Sequence, residues 1–282
     1  MKILNKKFHL GAITMLAGFS LATQQAHSAA IIYETFADSN STLAGNTPGL
    51  GLSGTYTSNG ALVETGSLSY GDLLTESGDG KATFSNQYMG ISTGTTLTDA
   101  GLLADGEELW FSFLVRTGTD IATNGDLGFV LGTDRIGSGN NIPMTNSGTA
   151  LGVRFKNNQL RAAEWGPTLS FSNGTGIDGN TLALVVGRFT WGAASDTIDL
   201  WTASEDLQTL TLASTRTTAS NYNQANFNTI SIGSKASGTD RHQFDEIRFG
   251  ATQADVLVAI PEPSTTALIG LGGLALILRR RK

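Results

Sequence analysis

The chain has 282 residues, a formal charge of −6 and no cysteine, which excludes disulfides, thiolate zinc sites and cysteine nucleophiles. Seven of its cations and Glu262 lie at the two ends, so residues 30–260 hold 11 Lys and Arg against 23 Asp and Glu, a net −12. Such a body repels nucleic acid, and no basic stripe in the sequence reverses that.

Lys2, Lys6 and Lys7 precede an apolar run from Phe8 to Ala22, and Ala26-His27-Ser28-Ala29-Ala30 follows with small residues. This is the three-part layout of a secretory signal peptide, with cleavage expected at about residue 28 to 30. Residues 1–29 are therefore read as a removable N-terminal signal helix. The polar break Thr23-Gln24-Gln25 and the short apolar run argue against a permanent span.

Residues 30–258 have the composition of one all-β domain, with 35 Gly in the chain and frequent Ser and Thr. Gly, Ser, Thr and Asn over 38–60 predict long loops or an irregular edge, and 133–149 predict another extended loop. Glu107 to Arg116 alternates, placing Leu109, Phe111, Phe113 and Val115 on one face and Trp110, Ser112, Leu114 and Arg116 on the other. Leu127–Leu131, Ala150–Phe155 and Gln159–Glu164 are further strands, the last two joined by an Asn157-Asn158 hairpin turn. Leu182 to Trp191 begins apolar on both faces, which predicts a central strand. Asp196–Ala203, Thr229–Gly233 and Phe244–Gly250 complete the series, and one short helix is expected near Thr252 to Leu257. Short strands between turn clusters point to an antiparallel sandwich.

Pro261-Glu262-Pro263 then opens a tail in which an apolar stretch to Leu278 is closed by Arg279, Arg280, Arg281 and Lys282. A helix over Ser264–Leu278 would span about 22 Å at ~1.5 Å per residue, against roughly 30 Å of hydrocarbon. The terminal cations would hold that end in the cytoplasm and leave the body outside.

The motif, the apolar helix and the basic end, together with the N-terminal signal, resemble the PEP-CTERM sorting signal over residues 259–282. That resemblance implies recognition by an exosortase-type membrane processing enzyme, transient anchoring by the C-terminal hydrophobic helix, and export across the inner membrane to the cell envelope, outer surface or extracellular matrix. The strand Trp110–Arg116, the pair Leu184–Phe189 and Asp196–Trp201, and the closing Phe244–Gly250 are similar to the concanavalin A-like lectin/glucanase sandwich, in particular its laminin-G-like variety. This second resemblance implies an antiparallel jelly roll, with extracellular polysaccharide as a partner.

Catalytic chemistry has little to draw on. His242 is the one histidine left after signal removal and sits in a polar turn, where it reads as a solvated loop residue. Glu107-Glu108 and Asp245-Glu246 are adjacent pairs that a regular strand sends to opposite faces. The Glu-x-Asp-x-x-Glu run of the glucanases is absent. No catalytic residues are assigned. Asp120, Asn124 and Asp126 form a loop of oxygen donors that would suit calcium, with Asp196 and Asp199 a weaker set, although both sets read first as solvated turn acids and no cofactor is assigned. All four tryptophans read first as core, with Trp165 in Ala-Glu-Trp-Gly-Pro the best candidate for a glycan platform and Trp110 and Trp201 on the face where partial exposure is conceivable. The expectation is an exported, non-enzymatic protein with a structural, adhesive or weak glycan-binding role. A polysaccharide-degrading enzyme with an unusual carboxylate pair is the alternative.

Overall fold

The computed structural model describes residues 30–37, 41–75, 80–122, 125–133, 149–166, 169–219, 221–235 and 241–259. The expected signal peptide, the 134–148 loop and the tail beyond 259 lie outside the described residues. Among those described, no helix is long and apolar enough to cross a membrane.

Strands run in the order β1 (Ile32–Glu34), β2 (Ser41–Thr42), β3 (Ser53–Ser58), β4 (Leu62–Thr65), β5 (Gly80–Phe84), β6 (Tyr88–Ser92), β7 (Glu108–Arg116), β8 (Asp126–Gly132) and β9 (Ala150–Lys156). They continue with β10 (Gln159–Trp165), β11 (Ser170–Phe171), β12 (Thr175–Gly176), β13 (Leu182–Thr190), β14 (Thr197–Ala203), β15 (Leu210–Thr217), β16 (Thr229–Lys235) and β17 (His242–Gly250). The short helices are α1 (Thr96–Asp99) and α2 (Gln253–Val256). One sheet is ordered β15-β14-β13-β7-β17-β5-β4-β2 with β1 also on β17; the other is β11-β10-β9-β8-β16-β6-β3 with β12 also on β10. All these pairings are antiparallel. The protein is an all-β antiparallel sandwich.

The inner faces meet in one large core. Alternation in β7 sends Leu109, Phe111, Phe113 and Val115 inward, as the sequence predicts. Phe111 lies 5.0 Å from Phe189, 5.7 Å from Phe129 and 5.8 Å from Phe249, ring centre to ring centre. Phe113 stacks within 4.5 Å of Phe129 and 5.3 Å of Phe244. Burying each such ring contributes roughly 1.5–3 kcal/mol. Room for Phe111 comes from Gly187 directly across on β13: a Cβ there would lie 2.0 Å from the ring's Cζ.

β13 is apolar on both faces because both are covered. Leu184, Val186 and Leu114 point away from the main core into a second cluster with Leu68, Leu73 and Val256. The segment after β4 and the C-terminal strap form this cover. Thr252 and Asp255 make a capping box on α2, Ser112 Oγ donates to the Val256 carbonyl at 2.7 Å, and Ala259 bridges to Leu73. The short helix expected near 252–257 is thus present. α1 and the strands before β7 carry no clear alternation and were not anticipated, and nor was β15.

Three buried acids, Glu34, Asp245 and Glu246, shape the region around β1 and β17. Glu34 accepts amide bonds from Phe36 and Gly49 at 2.6 Å each, and the Tyr56 hydroxyl also donates to it. Gly49 makes this approach feasible, since a Cβ there would meet the Tyr33 carbonyl at 2.2 Å. Glu246 sits in a β-bulge between Asp245 and Arg248 with φ 52°. The extra residue breaks the strand period, so Asp245 and Glu246 both serve the outer side. Asp245 accepts from the Leu68 amide at 2.7 Å, and Glu246 accepts from Arg248 at 2.7 Å and the Tyr33 hydroxyl at 2.6 Å. This corrects the expectation of opposite faces.

Gly187→Ala is expected to drive a methyl into the Phe111 ring and cost about 1–3 kcal/mol by overpacking, read by urea unfolding; an unchanged midpoint would show that the ring yields freely. Burial holds the Glu34 carboxyl above the usual carboxylate range despite its donors. Its stabilising contribution is therefore complete below the unfolded glutamate value of about 4.3 and is lost as pH rises through the higher folded value. The stability advantage of wild type over Glu34→Gln should accordingly shrink from acid to neutral pH, and a pH-independent difference would contradict the shift.

Candidate functional site

The outer face of the eight-stranded sheet carries two of the residues singled out for binding, Trp165 and Asp126. Trp165 is the last residue of β10 and pairs with Ala150 on β9. Its side chain is 1% exposed, packed with Val130, Ala150 and Ala163. The core reading of Trp165 holds and its candidacy as a loop-borne sugar platform does not: the strand runs through Glu164 and Trp165, and the indole fills an outer-face cluster instead of meeting solvent. An aromatic ring on this face that does meet solvent is Phe171, 43% exposed, on β11.

The proposed calcium ligands are not brought together as a set. Asn124 lies outside the described residues. Asp126 opens β8 and is taken by cations: Arg154 Nε and Nη2 donate to its two oxygens at 2.9 and 2.5 Å, and Lys156 Nζ to one of them at 3.1 Å. A carboxylate so neutralised has little left to offer a metal. Asp120 is buried on the short helical turn Thr119–Ala122 and faces His242, with 3.8 Å between Oδ1 and Nε2. Among the described residues, no group of three or more His, Asp or Glu side chains is placed to hold a metal ion.

His242 is fully buried, not solvated. It is the first residue of β17, and its Nδ1 accepts from the Gly118 amide at 2.7 Å. His242 lies directly across from Phe84 on β5, and its ring reaches Gly118 and Asp120, which is why a residue in polar sequence is buried.

The remaining tryptophans divide. Trp191 is buried and donates from Nε1 to the Leu102 carbonyl at 2.7 Å. Trp110 and Trp201 stack at 5.5 Å on the outer face of the nine-stranded sheet, half-buried. Arg188 lies 5.4 and 5.7 Å from their ring centres and is clamped by Glu108 at 2.9 Å and Asp199 at 2.8 Å. Asp199, a weaker calcium candidate, therefore serves an ion pair. Its neighbour Asp196 is buried, accepting from the Gly192 and Tyr222 amides at 3.2 and 3.0 Å, and burial raises its carboxyl above the ordinary range.

An open depression of about 510 Å³ lies beside it, lined by Leu103, Asp105, Tyr222 and Gln224. Asp105 accepts from Gln224 at 2.6 Å. Tyr222 donates to Glu164 at 2.5 Å, and Arg216 closes the same carboxylate. Each acid near this depression is thus engaged by an amide, an amide side chain or a guanidinium. One member of each adjacent pair is likewise ion-paired, Glu108 with Arg188 and Glu246 with Arg248.

Sequence reasoning missed Phe171 and Arg161. The signal for Arg161 was present: Arg154 and Arg161 are equidistant from the Asn157-Asn158 turn, so the hairpin sets them directly opposite. Phe171 lies on a two-residue edge strand with no period to read.

No match is found among curated protein sequences. Solved structures with a similar chain course include a protein of unknown function from Shewanella oneidensis MR-1, at 13% identity and TM-score 0.39, covering 73% of this chain and 90% of that one. Alginate lyase vAL-1 from Chlorella virus shows 7% identity and TM-score 0.42, covering 70% and 93%. The binding domain of botulinum neurotoxin serotype C1 shows 13% identity and TM-score 0.39, covering 68% and 44%. No activity is carried over from any of them. Sequence comparison does recognise the end of the chain: residues 259–282, which begin where the strap's last bridge to Leu73 is made, match the PEP-CTERM protein-sorting motif. The protein is a β-sandwich that carries a PEP-CTERM sorting motif at its C-terminus.

Proposed function

We propose that the chain is an exported, non-enzymatic protein of the cell envelope or extracellular matrix, delivered through its C-terminal motif and serving there as a structural or adhesive scaffold. The observation that carries this reading is the match of residues 259–282 to the sorting motif, directly abutting a folded body. An exosortase-type membrane enzyme is the partner that would act on the tail. The N-terminal signal read from residues 1–29 supplies the matching entry into the export route.

The arrangement of the strap supports release without damage. Val256 is fully buried and Leu74 donates to the Val258 carbonyl at 2.8 Å, so the fold extends to the edge of the motif. A cut beyond Ala259 leaves every one of these contacts in the body.

The engaged state of the acids supports a scaffold over an enzyme. A glycoside hydrolase needs one carboxyl free to give a proton and a second free to attack or to activate water. At the depression the nearest pair for the alternative is Asp105 and Asp196, and Asp196 is 0% exposed.

Mass spectrometry of the mature protein should find a C-terminus within or just after Pro261-Glu262-Pro263, and replacing these three residues by alanine should leave the whole tail attached in the membrane fraction. An unprocessed native tail in a cell that has the processing enzyme would overturn the sorting reading. Deleting 260–282 should leave the body's urea midpoint unchanged, whereas deleting 252–282 should cost at least the burial of Val256, about 1.5–3 kcal/mol. Turnover on a polysaccharide panel that one Asp105 or Asp196 substitution abolishes would replace the scaffold reading with the hydrolase.

A further inference from the structure

Cations are scarce in this body, yet four of its 11 stand together on the outer face of the eight-stranded sheet. The register places Lys235, Asp126, Lys156 and Gln159 in one row across β16, β8, β9 and β10. Arg154 and Arg161 stand side by side in the next row. With Asp126 as the one acid in these rows, the patch carries a formal +3 on a body of −12.

The two arginines are direct cross-strand partners, a like-charge pairing that destabilises a sheet. Of the two arginines, Asp126 pairs only with Arg154, through the two-pronged bond described above, and it also accepts from Lys156 at 3.1 Å. Arg161 is only half-buried, has no carboxylate partner among the described residues, and has a buried Nε with no hydrogen bond. A guanidinium donor left in that state costs stability. Its guanidinium lies 4.9 Å from the centre of the Phe171 ring, which Arg154 flanks at 5.1 Å. Arg188 on the other sheet has the same aromatic company but two acids to neutralise it. Arg161 differs in having none.

We propose that this face binds an anionic polysaccharide, with Arg161 receiving a sugar carboxylate, Phe171 packing against the sugar ring, and Lys156 and Lys235 extending the contact along the sheet. A guanidinium fork matches a carboxylate in two parallel bonds. An exposed aromatic beside it suits the apolar face of a pyranose. Duplex DNA, with one charge per about 1.7 Å of axis, suffers far more from the surrounding negative body than a chain with one carboxylate per sugar. This inference deepens the adhesive reading and rests on export, because the polymer lies outside the cell.

The test is binding of the full-length chain, purified in detergent, to immobilised polygalacturonate, dextran and duplex DNA at low and high salt. Wild type should bind polygalacturonate, lose it in high salt, and ignore dextran and DNA. Arg161→Ala should weaken binding by about tenfold or more, with Arg161→Lys intermediate and Phe171→Ala weaker than wild type. Relief of the paired arginines should leave the unfolding midpoint of Arg161→Ala equal or higher, so the loss is not one of folding. Arg241→Ala, at a half-buried cation beside Glu64 on the other sheet, should bind as wild type. Absence of polygalacturonate binding, equal binding to dextran or DNA, or an Arg161→Ala variant as good as wild type would overturn the proposal. The sorting reading would survive that failure, since it is read from the mass of the C-terminus.

Discussion

The contact on which this molecule turns is Phe111 lying over Gly187. An aromatic ring on one strand occupies space that the neighbouring strand concedes by having no side chain. Around it Phe113, Phe129, Phe189, Phe244 and Phe249 form a continuous layer contributed by both sheets. Face-to-face sheets sit about 10 Å apart, and that gap is filled by side chains from both inner faces. With no disulfide in the chain, this layer supplies the long-range cohesion that holds the sheets together.

Because the sandwich is so apolar, the acids buried in it, on either side of a sheet, need individual solutions. Glu34 takes amides and a tyrosine, Glu164 an arginine and a tyrosine, and Glu246 an arginine and a tyrosine across a bulge. A lone buried carboxylate would cost several kcal/mol, which explains why each is surrounded by donors. The same rule makes Arg161 stand apart, as a half-buried cation with no carboxylate partner among the described residues.

The outer face of the nine-stranded sheet solves a different problem. Its apolar residues Leu114, Leu184 and Val186 would lie bare if the segment after β4 and the C-terminal strap did not cover them. That cover welds the end of the folded body to its central strands. The sorting tail therefore leaves from a fixed point of the fold, and processing beyond it is separated from stability.

Local pattern carried much of this. The alternation of Glu108–Arg116, the doubly apolar Leu182–Thr190, the Asn157-Asn158 turn with both residues at positive φ, and the proline–acid–proline tail with its basic end are all legible in the chain, because each depends on residues close together. The Gly- and Ser-rich strands before β7 were not legible, since β3 is largely exposed and has no period to show. Exposure and charge pairing were not legible either. Trp165 and His242 sit in turn-like sequence yet are buried, and the Asp126 carboxylate is claimed by Arg154, 28 positions away. Sequence by itself thus determined the fold class and the address, through periodicity and a contiguous motif. Tertiary structure alone decided which side chains meet solvent and which charges remain unanswered, because burial and ion pairing belong to neighbours that the register brings together from distant parts of the chain.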